Sequence, residues 1–163
     1  MIILGIDPGT AITGYGVIRK EDNNKFVVLG YGVIRTDSKQ ESAQRLGVIY
    51  KSLRDLIDEF NPCCLAIEDI FFNKNVATAL AVGQARGVAM LAGVHSKLPI
   101  TEYTPLQVKI AVTGYGRAGK DQVGYMIRVI LGMAEIPKPD DAADALAVCL
   151  CHGYNSHRWG EQT

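Results

Sequence analysis

The order of the secondary-structure signals is the feature that most limits what this chain can become. Three β-type runs come first: Ile2–Ile6, Thr13–Arg19 with alternating Gly14-Tyr15-Gly16-Val17, and Phe26–Arg35. Glu21-Asp22-Asn23-Asn24 between the last two is a hairpin turn signal, so the three runs form an antiparallel meander. Strand–helix alternation follows. Ala43, Leu46, Tyr50, Leu53, Ile57 and Phe60 recur at steps of three and four, which predicts an amphipathic helix ended by Asn61-Pro62. Leu65-Ala66-Ile67 predicts a buried strand running into Glu68, and a helix rich in Ala, Val, Leu and Gly spans about 76–96. Pro99–Tyr103 reads as another strand, and helices at about 105–112, 120–132 and 140–151 close the chain. The expected fold is α/β, with a mixed five-stranded sheet (antiparallel meander, then parallel strands) flanked by helices.

A chain of 163 residues has the size of one domain and cannot hold separate cofactor and substrate lobes. Residues 1–153 are expected to form that domain and 154–163 a flexible C-terminal tail. The apolar stretch Val76 to Val94 is interrupted by Gln84 and Arg86 and rich in small residues, so it reads as packed helix rather than membrane span. The first residues lack the basic leader and cleavage site of a signal peptide, which places the protein in the cytoplasm. Cys63-Cys64 and Cys149-x-Cys151 have neither disulfide-framework nor CxxC spacing and read as structural. Tyr103 and Tyr115 read as core or loop-anchoring rings and His95 as a helix-end residue, while His152 and His157, in or beside the tail, receive no role.

A net charge of zero conceals an uneven distribution: residues 1–69 carry −2, residues 70–130 carry +5 and residues 131–163 carry −3. Such a pattern suits a basic surface beside a carboxylate cluster. Asp7 stands where the first strand stops at Pro8-Gly9, and Glu68 occupies the matching place after Leu65-Ala66-Ile67. If those strands are neighbours, the two acids emerge side by side and repel unless a cation lies between; hard oxygen ligands favour Mg²⁺ or Mn²⁺. Asp141 and Asp144 are three apart and share one helix face, as Asp140 and Asp144 would; spacing alone does not choose between Asp140 and Asp141. Helix capping after Pro139 accounts for Asp140 and Asp141 but poorly for Asp144.

Gly114-Tyr115-Gly116-Arg117-Ala118-Gly119-Lys120 satisfies both GxGxxG and the GxxxxGK part of a phosphate-binding loop. Asp121 stands where such a loop needs Ser or Thr, and no βαβ unit follows, so a nucleotide site is rejected. The loop can still hold DNA phosphates through backbone N–H groups, Arg117 and Lys120.

Taken together, Gly5-Ile6-Asp7-Pro8-Gly9-x-x-x-Thr13-Gly14-Tyr15-Gly16, Ile67-Glu68 with Phe71 and Asn75, Gly83-Gln84-Ala85-Arg86-Gly87, Gln107-Val108-Lys109 and Asp141-Ala142-Ala143-Asp144-Ala145-Leu146-Ala147 resemble the RuvC family of bacterial Holliday junction resolvases. The match runs through nearly the whole chain in order. The resemblance implies an RNase H-like fold, a homodimer, and metal-dependent nicking of two opposed strands of four-way junction DNA in recombination and repair. It assigns the catalytic and metal-binding positions to Asp7, Glu68, Asp141 and Asp144, and so prefers Asp141 over Asp140. Two Mg²⁺ ions per site are implied, with Mn²⁺ able to substitute and Asp7 expected to bridge them. Phe71 is implied to meet bases at the junction centre, with Phe72 beside it as a second ring, and Lys74, Lys109, Arg117 and Lys120 join the DNA-contacting set. A partnership with the RuvAB branch-migration motor is implied by resemblance alone.

Three other readings compete with this one. Actin-like sugar kinases and chaperone ATPases share Asp-x-Gly-Thr, here Asp7-Pro8-Gly9-Thr10, but need two lobes. A ribonuclease H-type enzyme on the same fold would prefer RNA–DNA hybrids. A non-catalytic nucleic-acid-binding module is disfavoured by the presence of all four acids. The 76–96 helix adds its own argument for a dimer. Small residues line nearly every side of it, and Val76, Leu80, Val82, Val88, Met90 and Leu91 make it apolar on more than one, which leaves surplus surface for a second copy.

Overall fold

The computed structural model describes residues 1–69 and 76–156. Strands β1 (Ile2–Asp7), β2 (Ile12–Lys20) and β3 (Phe26–Arg35) form the expected antiparallel meander, and β4 (Cys64–Glu68) and β5 (Ile100–Tyr103) add in parallel. The sheet order is β3-β2-β1-β4-β5. The crossover from β3 thus carries the chain past the meander to pair β4 directly with β1, Ile6 opposite Ile67.

Helices cover both faces. Helices α1 (Ser42–Phe60) and α2 (Val76–His95) pack on the side to which Leu4, Ile6, Val17, Leu65 and Ile67 point. On the other side lie α3 (Pro105–Thr113), α4 (Lys120–Ile130) and α5 (Asp140–Asn155), packed with Ile3, Ile18, Ala66 and Tyr103. Strand alternation sends successive side chains to opposite faces, which is why β1 and β4 read as continuous apolar runs. By length and composition α2 could cross a bilayer. Here Ala85, Ala89, Ala92 and Gly93 are buried and Arg86 pairs with Glu102.

Helix α5 is the central element of its face, and glycines set how closely it lies. A Cβ at Gly5 would overlap the Cys149 sulfur and the Ala145 carbonyl, one at Gly14 the Asp141 carbonyl, and one at Gly16 the Leu146 side chain. Gly5 and Gly16 face each other across the β1–β2 ladder, as do Asp7 and Gly14. The helix therefore rests on bare backbone, with its N-terminal turn over the Asp7–Gly14 pair. Ala142, Ala143, Ala145 and Ala147 keep its own surface equally low.

At the C-terminal end the structure departs from the sequence reading. Helix α5 runs to Asn155 instead of about 151, through the first residues assigned to the tail. Lys20, buried at the end of β2, donates from Nζ to the Gly153 carbonyl at 2.6 Å and to Ser156 Oγ at 3.2 Å, supplying the last turn with a cation. His152 accordingly lies in the core, bonded through Nδ1 to the Tyr103 hydroxyl at 3.0 Å. Tyr103 is a core ring, as expected, while Tyr115 is exposed. His95 is exposed at the end of α2 and its Nδ1 pairs with the Tyr50 hydroxyl.

Candidate active site

Pairing of β1 with β4 in parallel brings Asp7 and Glu68 out at the same sheet edge, each one residue past the Ile6–Ile67 pair. Their carboxyls lie within hydrogen-bonding reach of each other. Asp141 and Asp144, in the first turns of α5, reach the same place because Gly14 lets the helix terminus touch the sheet. Burial is the largest influence on Asp7; Glu68, Asp144 and Asp141 then act in the same direction, and together they push its carboxyl up to about 8 against the pull of Lys120. Glu68 is pushed up to about 7, first by burial and then by Asp144, with the hydrogen bond to Asp7 and the charges of Lys109 and Lys120 opposing. Asp144 is raised by burial, lowered by Lys120, and raised again by Asp141 and Asp140.

Geometry distinguishes the two aspartates that spacing leaves open: Asp141 is half-buried with its backbone against Gly14 of β2, whereas Asp140 is exposed. Two lysines flank the acids. Lys120, at the first turn of α4, holds Nζ 3.9 Å from Asp144 Oδ2 and remains 75% exposed; Lys109 is half-buried on α3. Arg117 is exposed in the 114–119 loop between those helices. Phe71, Phe72 and Lys74 lie outside the described residues.

Neighbouring groups hold the two acid-bearing turns in place. Thr10 Oγ1, three residues after Asp7, donates to the Ala81 carbonyl of α2 at 2.7 Å, and Thr13 Oγ1 donates to the Gly9 carbonyl at 2.6 Å. Arg86 of α2 pairs with Glu102 of β5 and with Asp69, the residue after Glu68, at 3.4 Å. The Gly83-Gln84-Ala85-Arg86-Gly87 motif does not by itself reveal this role of Arg86; a lone Arg inside an otherwise small and apolar helix is the available signal.

The chemistry of the donor set fits a hard divalent cation: four carboxylates converge, and burial, followed by their mutual repulsion, holds three of them above their ordinary range. Among the described residues no three acidic, His or Cys side chains are drawn tightly enough together to enclose an ion, so the cluster is open.

Residues 3–152 match the family model described as crossover junction endodeoxyribonuclease RuvC. The chain belongs to the RuvC family. A crossover junction endodeoxyribonuclease RuvC of Desulforamulus reducens is 55% identical over 160 residues, covering 98% of each chain. The RuvC structure of Thermus thermophilus superposes with a TM-score of 0.90 at 35% identity, covering 98% of this chain and 97% of that one. The same organism's RuvC in complex with Holliday junction substrate gives 0.89 at 34% identity, with the same coverage. The RuvC-like, RNase H-like architecture expected from the sequence is therefore the fold observed.

Proposed function

We propose that this chain is a structure-selective DNA endonuclease that resolves four-way junctions by paired, symmetric nicks, in homologous recombination and DNA repair in the cytoplasm. The observation that carries the reading is the convergence of Asp7, Glu68, Asp141 and Asp144 from two adjacent strand ends and one helix, with Lys109 and Lys120 beside them. The four acids would hold two Mg²⁺ ions, or Mn²⁺ in their place, which supply activation of the attacking water and stabilisation of the leaving 3′ oxygen.

The protein's own side chains do the rest. Asp7 and Glu68 deliver full charge only when deprotonated, so they act as the electrostatic centre of the site. Asp144 is held between that centre and Lys120. Lys109, Lys120 and Arg117 receive phosphates, contributing affinity without sequence information. Phe71, with Phe72 and Lys74, completes the DNA-binding set, stacking against bases at the opened junction.

A homodimer supplies the second cut. Val76, Leu80, Gln84, Gly87, Leu91 and Val94 form one exposed stripe along α2 at steps of three and four. Helices α3 and α4 pack on the opposite face of the sheet and leave that stripe uncovered. Two-fold pairing through it would present two identical acid clusters to a two-fold substrate. The RuvAB motor is a proposed partner.

The deciding experiment incubates the protein with Mg²⁺ and labelled four-way junction, linear duplex and RNA–DNA hybrid in parallel. Paired nicks in the junction, with ligatable 5′-phosphate ends, are expected. Preference for the hybrid would make the chain a ribonuclease H, and binding without cleavage at any Mg²⁺ or Mn²⁺ concentration a non-catalytic module.

A further inference from the structure

Consecutive residues of an extended strand point to opposite faces, yet the thiols of Cys63 and Cys64 lie together. Cys63 sits in the bend between α1 and β4, one residue before the strand begins. Its Sγ is 3.9 Å from that of Cys64, and both approach the Ile2 carbonyl, at 3.1 and 3.9 Å. Cys63 is exposed and Cys64 is buried directly behind it. Cys64 Sγ in turn contacts His152 Nε2 at 3.4 Å, and the far nitrogen of that ring is fixed by Tyr103.

We propose that Cys63 and Cys64 form a dithiol site for a soft, thiophilic electrophile of the trivalent-arsenical class, one arsenic atom bridging both sulfurs. Three features select this chemistry. A disulfide needs sulfurs about 2.05 Å apart and Cα atoms at least about 4.4 Å apart, whereas adjacent residues offer about 3.8 Å. A pyramidal atom about 2.3 Å from each sulfur, its two bonds meeting at about 100°, instead needs the sulfurs about 3.5 Å apart, a small movement from the 3.9 Å observed. A divalent metal held by thiolates would want further ligands, and no three-ligand cage is formed among the described residues.

Charge favours the same ligand. Burial, then the neighbouring Cys63 sulfur, push the Cys64 thiol up to about 12. It therefore stays protonated and is a poor target for reagents that need a free thiolate. In R–As(OH)₂ + 2 Cys–SH → R–As(S–Cys)₂ + 2 H₂O, both thiol protons leave in water, arsenic stays trivalent, and no charge is left in the core. Cys63 makes the first As–S bond at the surface, and the second then forms within one molecule, at high effective concentration. The neutral His152 ring, its pKa lowered by burial and by Lys20, holds the Cys64 sulfur in place without adding charge.

Phenylarsine oxide, which hydrates to the dihydroxide above, tests the site by intact mass. One phenylarsenic per chain is expected, surviving gel filtration and equimolar monothiol but removed by excess 2,3-dimercaptopropanol. Cys63→Ser, at an exposed position, should keep the wild-type melting temperature and lose the adduct, and Cys149→Ser should retain it. Cys64→Ser should lose it too; if that variant does not fold, blocking of Cys63 alkylation by bound arsenical reports the same engagement. An adduct that persists in Cys63→Ser, or one that monothiol strips from the wild type, would overturn the proposal. So would closure of a Cys63–Cys64 disulfide by glutathione disulfide at concentrations where the arsenical does not bind.

Discussion

Arg86 reaches from α2 to the carboxylate of Asp69 at 3.4 Å and to Glu102 on β5, so the residue that follows Glu68 is tied to the helix beneath it. Thr10, three residues after Asp7, is tied to the same helix through the Ala81 carbonyl. Helix α2 thus grips both strand-end turns from which two of the four acids project. Arg86→Gln keeps a polar side chain there but removes the charge. Junction cleavage at saturating DNA should fall about tenfold while the Kd for junctions stays near wild type, because a small displacement of a reacting group costs rate more than binding. The half-buried pair itself should contribute only about 1–2 kcal/mol to stability, read from denaturant unfolding.

The acid cluster makes metal-free stability depend on pH in a definite direction. Asp7 rises from 3.8 to about 8 and Glu68 from 4.5 to about 7 in the folded chain. The folded protein therefore holds more protons than the unfolded one between those values, so stability falls as pH rises from near 4 toward 8 and then levels off. Melting temperatures in EDTA should show this slope, and Mg²⁺ should flatten it by favouring the ionised acids. Asp7→Asn should be more stable than wild type at pH 8 in EDTA, by about 1–3 kcal/mol, because it removes a like charge from the cluster. The same variant should bind junctions and fail to cut them.

Gly14→Ala would place a methyl group against the Asp141 carbonyl. The N-terminal turn of α5 must then lift away from β2, at a cost of about 1–3 kcal/mol for overpacking. Asp141 and Asp144 move with the helix, so cleavage should drop more than a hundredfold while the protein stays folded at 25 °C. Wild-type cleavage by a folded Gly14→Ala variant would mean that the close approach of helix and sheet does not position the acids.

Much of this arrangement was legible in the sequence because it rests on runs that stop abruptly. Asp7 and Glu68 close apolar strands, and the three-residue spacing of Asp141 and Asp144 shows their shared face. Periodicity does not carry contacts between faces. Gly14 and Gly16 looked like strand residues of a hairpin, and nothing local marked them as the floor on which α5 rests. His152, just past the expected helix end and in or beside the tail, carries no local sign of a role; Lys20, 133 residues before Gly153, bonds the last turn of the longer helix that holds it in the core. The role of Arg86 required Asp69 and Glu102 to be brought together by the parallel pairing of β4 and β5.

Lys120 stands 75% exposed at the first turn of α4, with Nζ 3.9 Å from Asp144. An exposed cation beside paired acids contributes little to folding, so its expected use is toward phosphate. Lys120→Ala should weaken binding to junctions of any sequence and reduce the slope of log K against log salt by about 1. Fluorescence anisotropy across a salt series measures both, and an unchanged slope would remove Lys120 from the interface.

The exposed stripe on α2 gives the symmetric-cut reading its own test. Leu80 and Val94 are 65% and 60% exposed, and Gly87 lies between them with open space where a Cβ would be. A small residue at the centre of an apolar stripe lets a second helix approach closely, and large apolar residues on either side then fill the flanks. Leu80→Glu should leave the fold intact, since the side chain is mostly exposed and lies outside the buried core. It should also place like charges face to face across a two-fold axis and shift sedimentation at micromolar concentration from dimer to monomer. Each monomer retains its four acids, so the variant should nick one strand of a junction without the coordinated second nick. A Leu80→Glu protein that remains dimeric and makes paired cuts would place the two-fold contact elsewhere on the surface.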